Sequence, residues 1–180
     1  MAVRAVMFIA AGALVLALSA GCASPAGRDA LSAKSAAMPS ATGRVLTKQE
    51  VQRRTATLFF GDETYAEVNS QWLFRYYQDF RAELFRLGIV RWDDRFDCNR
   101  FAELYTSLAQ ARFYRESYQS RTPAKALALA PFWYIRGNGQ GAHAIVQALT
   151  ERGRMFIDPQ TGAEVQLTPQ ERASAYFFFF

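Results

Sequence analysis

The chain has 180 residues, 51% hydrophobic and 21% charged, which suits one globular domain of roughly 100–150 residues with short additions. That balance excludes both a disordered polymer and an array of several domains. The net charge of +5 comes from arginines scattered along the sequence, without long like-charge blocks, so it serves solubility and weak attraction to anionic surfaces and not nucleic-acid readout.

Taken from the start, Met1 to Arg4 form a cationic lead, Ala5 to Leu18 an apolar run of 14 residues, and Ser19, Ala20 and Gly21 a small-residue cleavage zone before Cys22. This is the layout of a signal peptide, and the run is too short to span a bilayer as a helix. The ending Leu18-Ser-Ala-Gly-Cys22 resembles a bacterial lipobox. That resemblance implies cleavage after residue 21, lipidation of the Cys22 thiol and, with Ala23 next, sorting to the outer membrane of a Gram-negative host. An ordinary signal peptide or an uncleaved anchor is the alternative. Residues 22–46 read as the lipidated cysteine followed by a tether rich in Ala, Ser, Gly and Pro, leaving a domain over 47–180.

Within that domain, Thr47 and Glu50 have capping-box spacing, so a helix is predicted from 48 to about 59, stopped by Gly61. Ser70 is the expected cap of a second helix whose apolar residues Trp72, Leu73, Tyr76, Phe80 and Leu84 share one face, with its end at Gly88. Asp97 is the expected cap of a third, running from Cys98 to about Tyr118 with Phe101, Ala102, Tyr105, Leu108 and Ala109 inward. The period then changes. Segments 126–136, 142–149 and 154–158 are β-rich, with Pro131 expected at a bulge or edge and a turn over 150–153. Thr168 and Glu171 form a second capping box, with Pro169 at the first helical position, before the aromatic run Phe177 to Phe180. That run is expected to pack under the sheet or to form an exposed patch. Helices first and an antiparallel meander afterwards predict an α+β class, with the Cys-bearing helix packed on the sheet.

With Cys22 lipidated, Cys98 is the one free thiol, and His143 is the chain's one histidine. A thiol in a helix's first turn meets the positive end of the macrodipole and open N–H groups, which favour thiolate; the adjacent Asp97 carboxylate opposes this. Closing the hairpin through 150–153 makes paired positions sum to 303, so His143 opposes Gln160 and Asp158 opposes Ile145. In that register His143 and Asp158 are diagonal neighbours on one face. Glycines 137, 139 and 141 join two strands and open no helix, which removes a phosphate-loop reading and leaves a loop rimming His143, with a lid as the further option. One histidine and one free cysteine make no zinc set, and no cofactor is expected.

The sequence Asp97-Cys98-Asn-Arg-Phe-Ala102 at a helix start, Gly141-Ala-His143-Ala144 on a strand and Phe156-Ile-Asp158-Pro159 on the next resemble the transglutaminase-like branch of the papain-like cysteine enzymes over roughly residues 92–162. They are also similar to uncharacterised bacterial and phage proteins with a comparable Ile-Asp-Pro-Gln-Thr-Gly ending. The resemblance implies a transglutaminase-like, papain-like α+β fold, with Cys98 as nucleophile, His143 as general base and then acid, and Asp158 as its orienter. The Cys98 N–H, Trp92 and Gln160 are candidates for the oxyanion site. The expected function is thiol-dependent acyl transfer on an amide of a protein or cell-wall peptide by a lipid-anchored envelope protein. The alternative is a non-catalytic binding or adaptor lipoprotein of the same fold, and a third reading, which rests on the resemblance alone, is a phage-derived envelope factor.

Overall fold

The structure, a computed structural model, describes residues 38–57, 59–137, 139–178 and 180, with no side-chain description for Phe177 and Phe178. The leader, Cys22 with its expected lipid, and most of the tether lie outside the described residues. Among the described residues eleven elements follow in order: β1 (Ala41–Thr47), α1 (Lys48–Thr55), β2 (Thr64–Val68), α2 (Ser70–Arg86), α3 (Cys98–Ser120), β3 (Ala126–Leu127), β4 (Leu129–Ile135), β5 (Ala142–Thr150), β6 (Gly153–Ile157), α4 (Pro169–Ala173) and β7 (Phe177–Phe178). The strands make one sheet in the order β1-β2-β5-β4-β7, with β3 against β2 and β6 against β5.

This corrects the expected architecture. Strands β4, β5 and β6 do form the antiparallel meander that their pattern predicts, but it belongs to a curled, mixed half-barrel carrying helices, which replaces the expected transglutaminase-like, papain-like α+β arrangement. Strand β1 precedes the first helix and takes in residues 41–46, read from composition as the end of the tether. Strand β2 lies in the stretch read as a link, and its pairings with β3 and β5 are parallel. Five to seven residues such as Thr64–Val68 are too few to show a period, and a parallel partner lies far away in sequence, so local pattern carries no record of it.

The helix ends follow local chemistry. Asn69, not Ser70, caps α2, its Oδ1 accepting from the N–H groups of Gln71 and Trp72 at 3.0 and 3.1 Å. The Ser70 hydroxyl instead hydrogen-bonds the Glu151 carboxylate. Helix α1 stops short of its expected end because Ala56 adopts a left-handed conformation (φ 59°) that turns its N–H to Gln52 O. Asp97 caps α3, and Thr168 with Glu171 forms the reciprocal capping box on α4, as their spacing predicts.

Strand alternation sorts the interior into layers. Ala144, Val146 and Ala148 of β5 face α2 and α3, packing with Trp72, Phe80, Tyr105 and Phe113. Ile145 points the other way, to Phe132, Tyr134, Phe156 and Leu167. Each large apolar side chain buried so completely contributes on the order of 1.5–3 kcal/mol. Phe180 is buried against Tyr65 and Leu149, while the backbone of Phe177 and Phe178 pairs with Trp133 and Phe132 at the β4 edge. The β5–β6 register keeps the sum of 303, from Thr150 opposite Gly153 to Val146 opposite Ile157.

Candidate active site

Cys98 opens α3, and the capping of that helix decides what surrounds the thiol. Asp97 Oδ1 accepts from the N–H of Asn99 at 3.1 Å and of Arg100 at 3.3 Å, and its Oδ2 accepts from Asn99 Nδ2 at 3.1 Å. Both carboxylate oxygens are therefore engaged beside the thiol. Asn99 Oδ1, 4.0 Å from Cys98 Sγ, accepts from Trp133 Nε1 at 2.7 Å, which ties the first turn of α3 to β4. The thiol is half-buried and free.

His143 lies near the start of β5, directly opposite Tyr134 of β4. By alternation it shares the Ile145 face, whereas α3 packs on the Ala144 face; the thiol meets the imidazole at the strand's beginning, next to the Ala144 N–H. The imidazole is 7% exposed. Its Nε2 is 3.7 Å from Asp158 Oδ2, and the Tyr134 ring stands edge-on to it with centroids 6.0 Å apart. With Nε2 turned to Asp158, Nδ1 is the nitrogen that remains for the thiol proton. Nδ1 is buried and makes no aligned hydrogen bond, although thiol and ring stand close enough for each to bias the other's charge.

Asp158 leaves the end of β6 in a tight turn. Its own carbonyl accepts from the N–H of Thr161 at 3.2 Å and Gly162 at 2.7 Å, and its Oδ1 accepts from Gln160 N at 2.8 Å. Tyr77 of α2 donates its hydroxyl to Gln160 O at 3.0 Å. Gly162 (φ 75°) lies so close to the Tyr77 ring that a Cβ there would fall 2.3 Å from a ring carbon. The Gln160-Thr161-Gly162 sequence thus holds the carboxylate toward His143 by backbone geometry.

The electrostatics follow from these contacts. Interaction with the His143 imidazole holds the Cys98 thiol below its ordinary pKa against the opposing effect of burial, and the Ala144 N–H acts in the same direction; Asp97 pushes it up. Burial alone would depress the His143 pKa, but Asp158 and then Cys98 outweigh it, so the imidazole is raised above 6.5. Asp158 is lowered below 3.8: burial opposes this, and the His143 and Gln160 N–H contacts prevail.

The three residues expected as a nucleophile, base and orienter are therefore brought together. Trp92 and Gln160 share a cavity of about 100 Å³ with Arg81, Leu84, Ile89 and Phe101, which neither Cys98 nor His143 lines. Gln160 contributes through its backbone to the Asp158 turn, and the Trp92 side chain is about half exposed. Sequence reasoning missed Tyr134, Asn99 and Trp133. A signal for Tyr134 existed: closing the 136–141 loop makes β4–β5 partners sum to 277, which places it opposite His143. That loop is held by Arg136 N to Gly141 O at 3.0 Å and by Gly137 N to Glu171 Oε1 at 3.1 Å.

No family model and no curated protein matches the chain. Among solved structures it is similar to a crystal structure of a Polyporus squamosus lectin bound to a human-type influenza-binding epitope, at 19% identity and a TM-score of 0.57, covering 76% of this chain and 49% of that one. It is also similar to a PSL1a–E64 complex, at 20% identity and a TM-score of 0.56, covering 76% and 51%. The chain thus spans about half the length of these structures, and at this identity the likeness concerns the fold. A lectin structure as neighbour, with the mixed sheet, replaces the expected transglutaminase-like, papain-like α+β fold.

Proposed function

We propose that the chain performs thiol-dependent acyl transfer on amides, with Cys98 as nucleophile, His143 as general base and acid, and Asp158 as the orienting carboxylate. The observation that carries this reading is His143 held between the Asp158 carboxylate and a thiol of lowered pKa. The order of the three in the chain and their transglutaminase-like motifs support it. In the proposed sequence the Cys98 proton passes to His143 Nδ1 and the thiolate adds to the amide carbonyl. The carbonyl oxygen takes the negative charge beside the Cys98 N–H. Collapse breaks the C–N bond as His143 returns the proton to the departing amine, leaving a thioester. Water or a second amine then releases the acyl group. The leader-like first 22 residues support placement at the cell envelope on a lipidated Cys22, where proteins and cell-wall peptides are the available amides.

The test is the rate of Cys98 alkylation by iodoacetamide against pH, in the wild type and in His143→Ala. Fast labelling at neutral pH that depends on His143 is expected; slow labelling with an ordinary thiol pKa, unchanged by the substitution, overturns the reading. In that event a binding protein without catalysis becomes the better reading, favoured by the likeness to a lectin bound to an epitope.

A further inference from the structure

At the other end of β5 from His143, three arginines converge on a cavity of about 430 Å³ whose lining includes Arg44, Arg54, Glu67, Thr150 and Arg154. Thr150 lies seven steps along the strand from His143, about 23 Å at 3.3 Å per step, so this is not the thiol site. Two of the three cations have counter-charges. The Arg44 guanidinium meets Glu50 and lies 3.4 Å from Glu67, and Arg54 lies 2.9 Å from Glu50 and 3.4 Å from Glu67. The Glu151 carboxylate, also on the lining, is engaged by the Ser70 N–H at 3.1 Å and by the Ser70 hydroxyl.

Arg154 is left over. Its Nε and Nη2 donate to Gln147 Oε1 at 3.1 and 2.7 Å, and its Nη1 to Thr55 O at 3.4 Å. The guanidinium carbon lies 4.8 Å from the Phe156 ring centre and 5.2 Å from that of Phe132. Among the described residues no carboxylate pairs with it, and burial, then the like charge of Arg172, push its pKa down to about 10. Gln147, with no exposed surface, has a buried Nε2 without a hydrogen-bond partner. A half-buried cation held by two neutral acceptors and two ring faces has no opposite charge to offset its desolvation, and a fork of five N–H donors with three in use has two to offer.

We infer that this cavity binds an oxyanion group, carboxylate or phosphate, with the half-buried Arg154 as its anchor and Arg44 and Arg54 at its mouth. A planar guanidinium favours such a partner by paired, charge-assisted hydrogen bonds. Arg44, with half its side chain exposed, can turn toward an incoming anion while Glu67 keeps Arg54.

Calorimetric titration of the purified chain with inorganic phosphate, and separately with acetate, tests this at an ionic strength fixed with chloride. Saturable binding of at least one anion is expected, and the stronger of the two identifies the group. Arg154→Met, which keeps the stem between the two rings, is expected to weaken binding tenfold or more with the Cys98 alkylation rate unchanged. Wild type without saturable binding, or Arg154→Met binding like wild type, overturns the inference. Should Arg154→Met not fold, Arg54→Gln takes its place: severalfold weaker binding is expected, and unchanged affinity overturns the proposal.

Discussion

His143 is raised above its ordinary pKa although burial alone would lower it, and the difference rests on Asp158 first and Cys98 second. Replacing Asp158 by Asn removes the charge that favours imidazolium while keeping the shape. Losing that charge lowers the His143 pKa and with it the thiolate–imidazolium population. Asp158→Asn is therefore expected to slow Cys98 alkylation at neutral pH severalfold, read from the pH–rate profile. Gly162 acts on the same carboxylate from behind. A Cβ at that position meets the Tyr77 ring at 2.3 Å, at a φ of 75°. The left-handed conformation alone costs a non-glycine residue roughly 1–2 kcal/mol. Gly162→Ala is expected to lower Tm and to slow alkylation much as Asp158→Asn does, whereas a residue with a purely packing role would lower Tm alone.

At the scale of the element, the start of α3 sets two demands against each other. Asp97 stabilises the helix by accepting from Asn99 and Arg100 N–H groups, a cap whose loss costs about 1 kcal/mol. Its charge also pushes the Cys98 thiol pKa up. Asp97→Ala is therefore expected to lower unfolding free energy by about 1 kcal/mol in urea while moving the alkylation midpoint to lower pH. Stability and thiolate content should move in opposite directions. The β5–β6 hairpin was legible in the sequence because its turn is local: Gly153 (φ 103°) and the Thr150 hydroxyl bonded to Gly153 O close it, and every pair beyond inherits that register. The placement of Trp92 and Gln160 was not legible. Both depend on how the 88–97 loop and the Asp158 turn dock against α2.

Across the whole molecule, the site couples to stability through pH. Asp158 has a folded-state pKa below 3.8, so its contribution is present above that ordinary value and disappears as pH falls through the folded one. His143 has a folded-state pKa above 6.5, so its contribution is complete below 6.5 and disappears as pH rises through the folded value. The stability difference between wild type and Asp158→Asn is therefore expected to be largest between those limits and to shrink on both sides, measured by urea unfolding from pH 3 to 9. A difference that is flat with pH would separate the pair from the fold's stability.

The sequence by itself determined the features closed by short-range chemistry: the Asp97 cap, the capping box at Thr168 and Glu171, the 303 register, and hence His143 and Asp158 on one face. Only the tertiary structure decided the mixed, curled sheet, the recruitment of β1 and β2, and the meeting of the thiol with the imidazole across the start of β5. The reason is physical. Caps and tight turns satisfy backbone groups within a few residues, so the residues that do so are written next to one another. Parallel pairing, the seating of α3 on the Ala144 face and the packing of Arg154 over Phe132 depend on contacts between segments far apart in the chain, and local periodicity carries no trace of them.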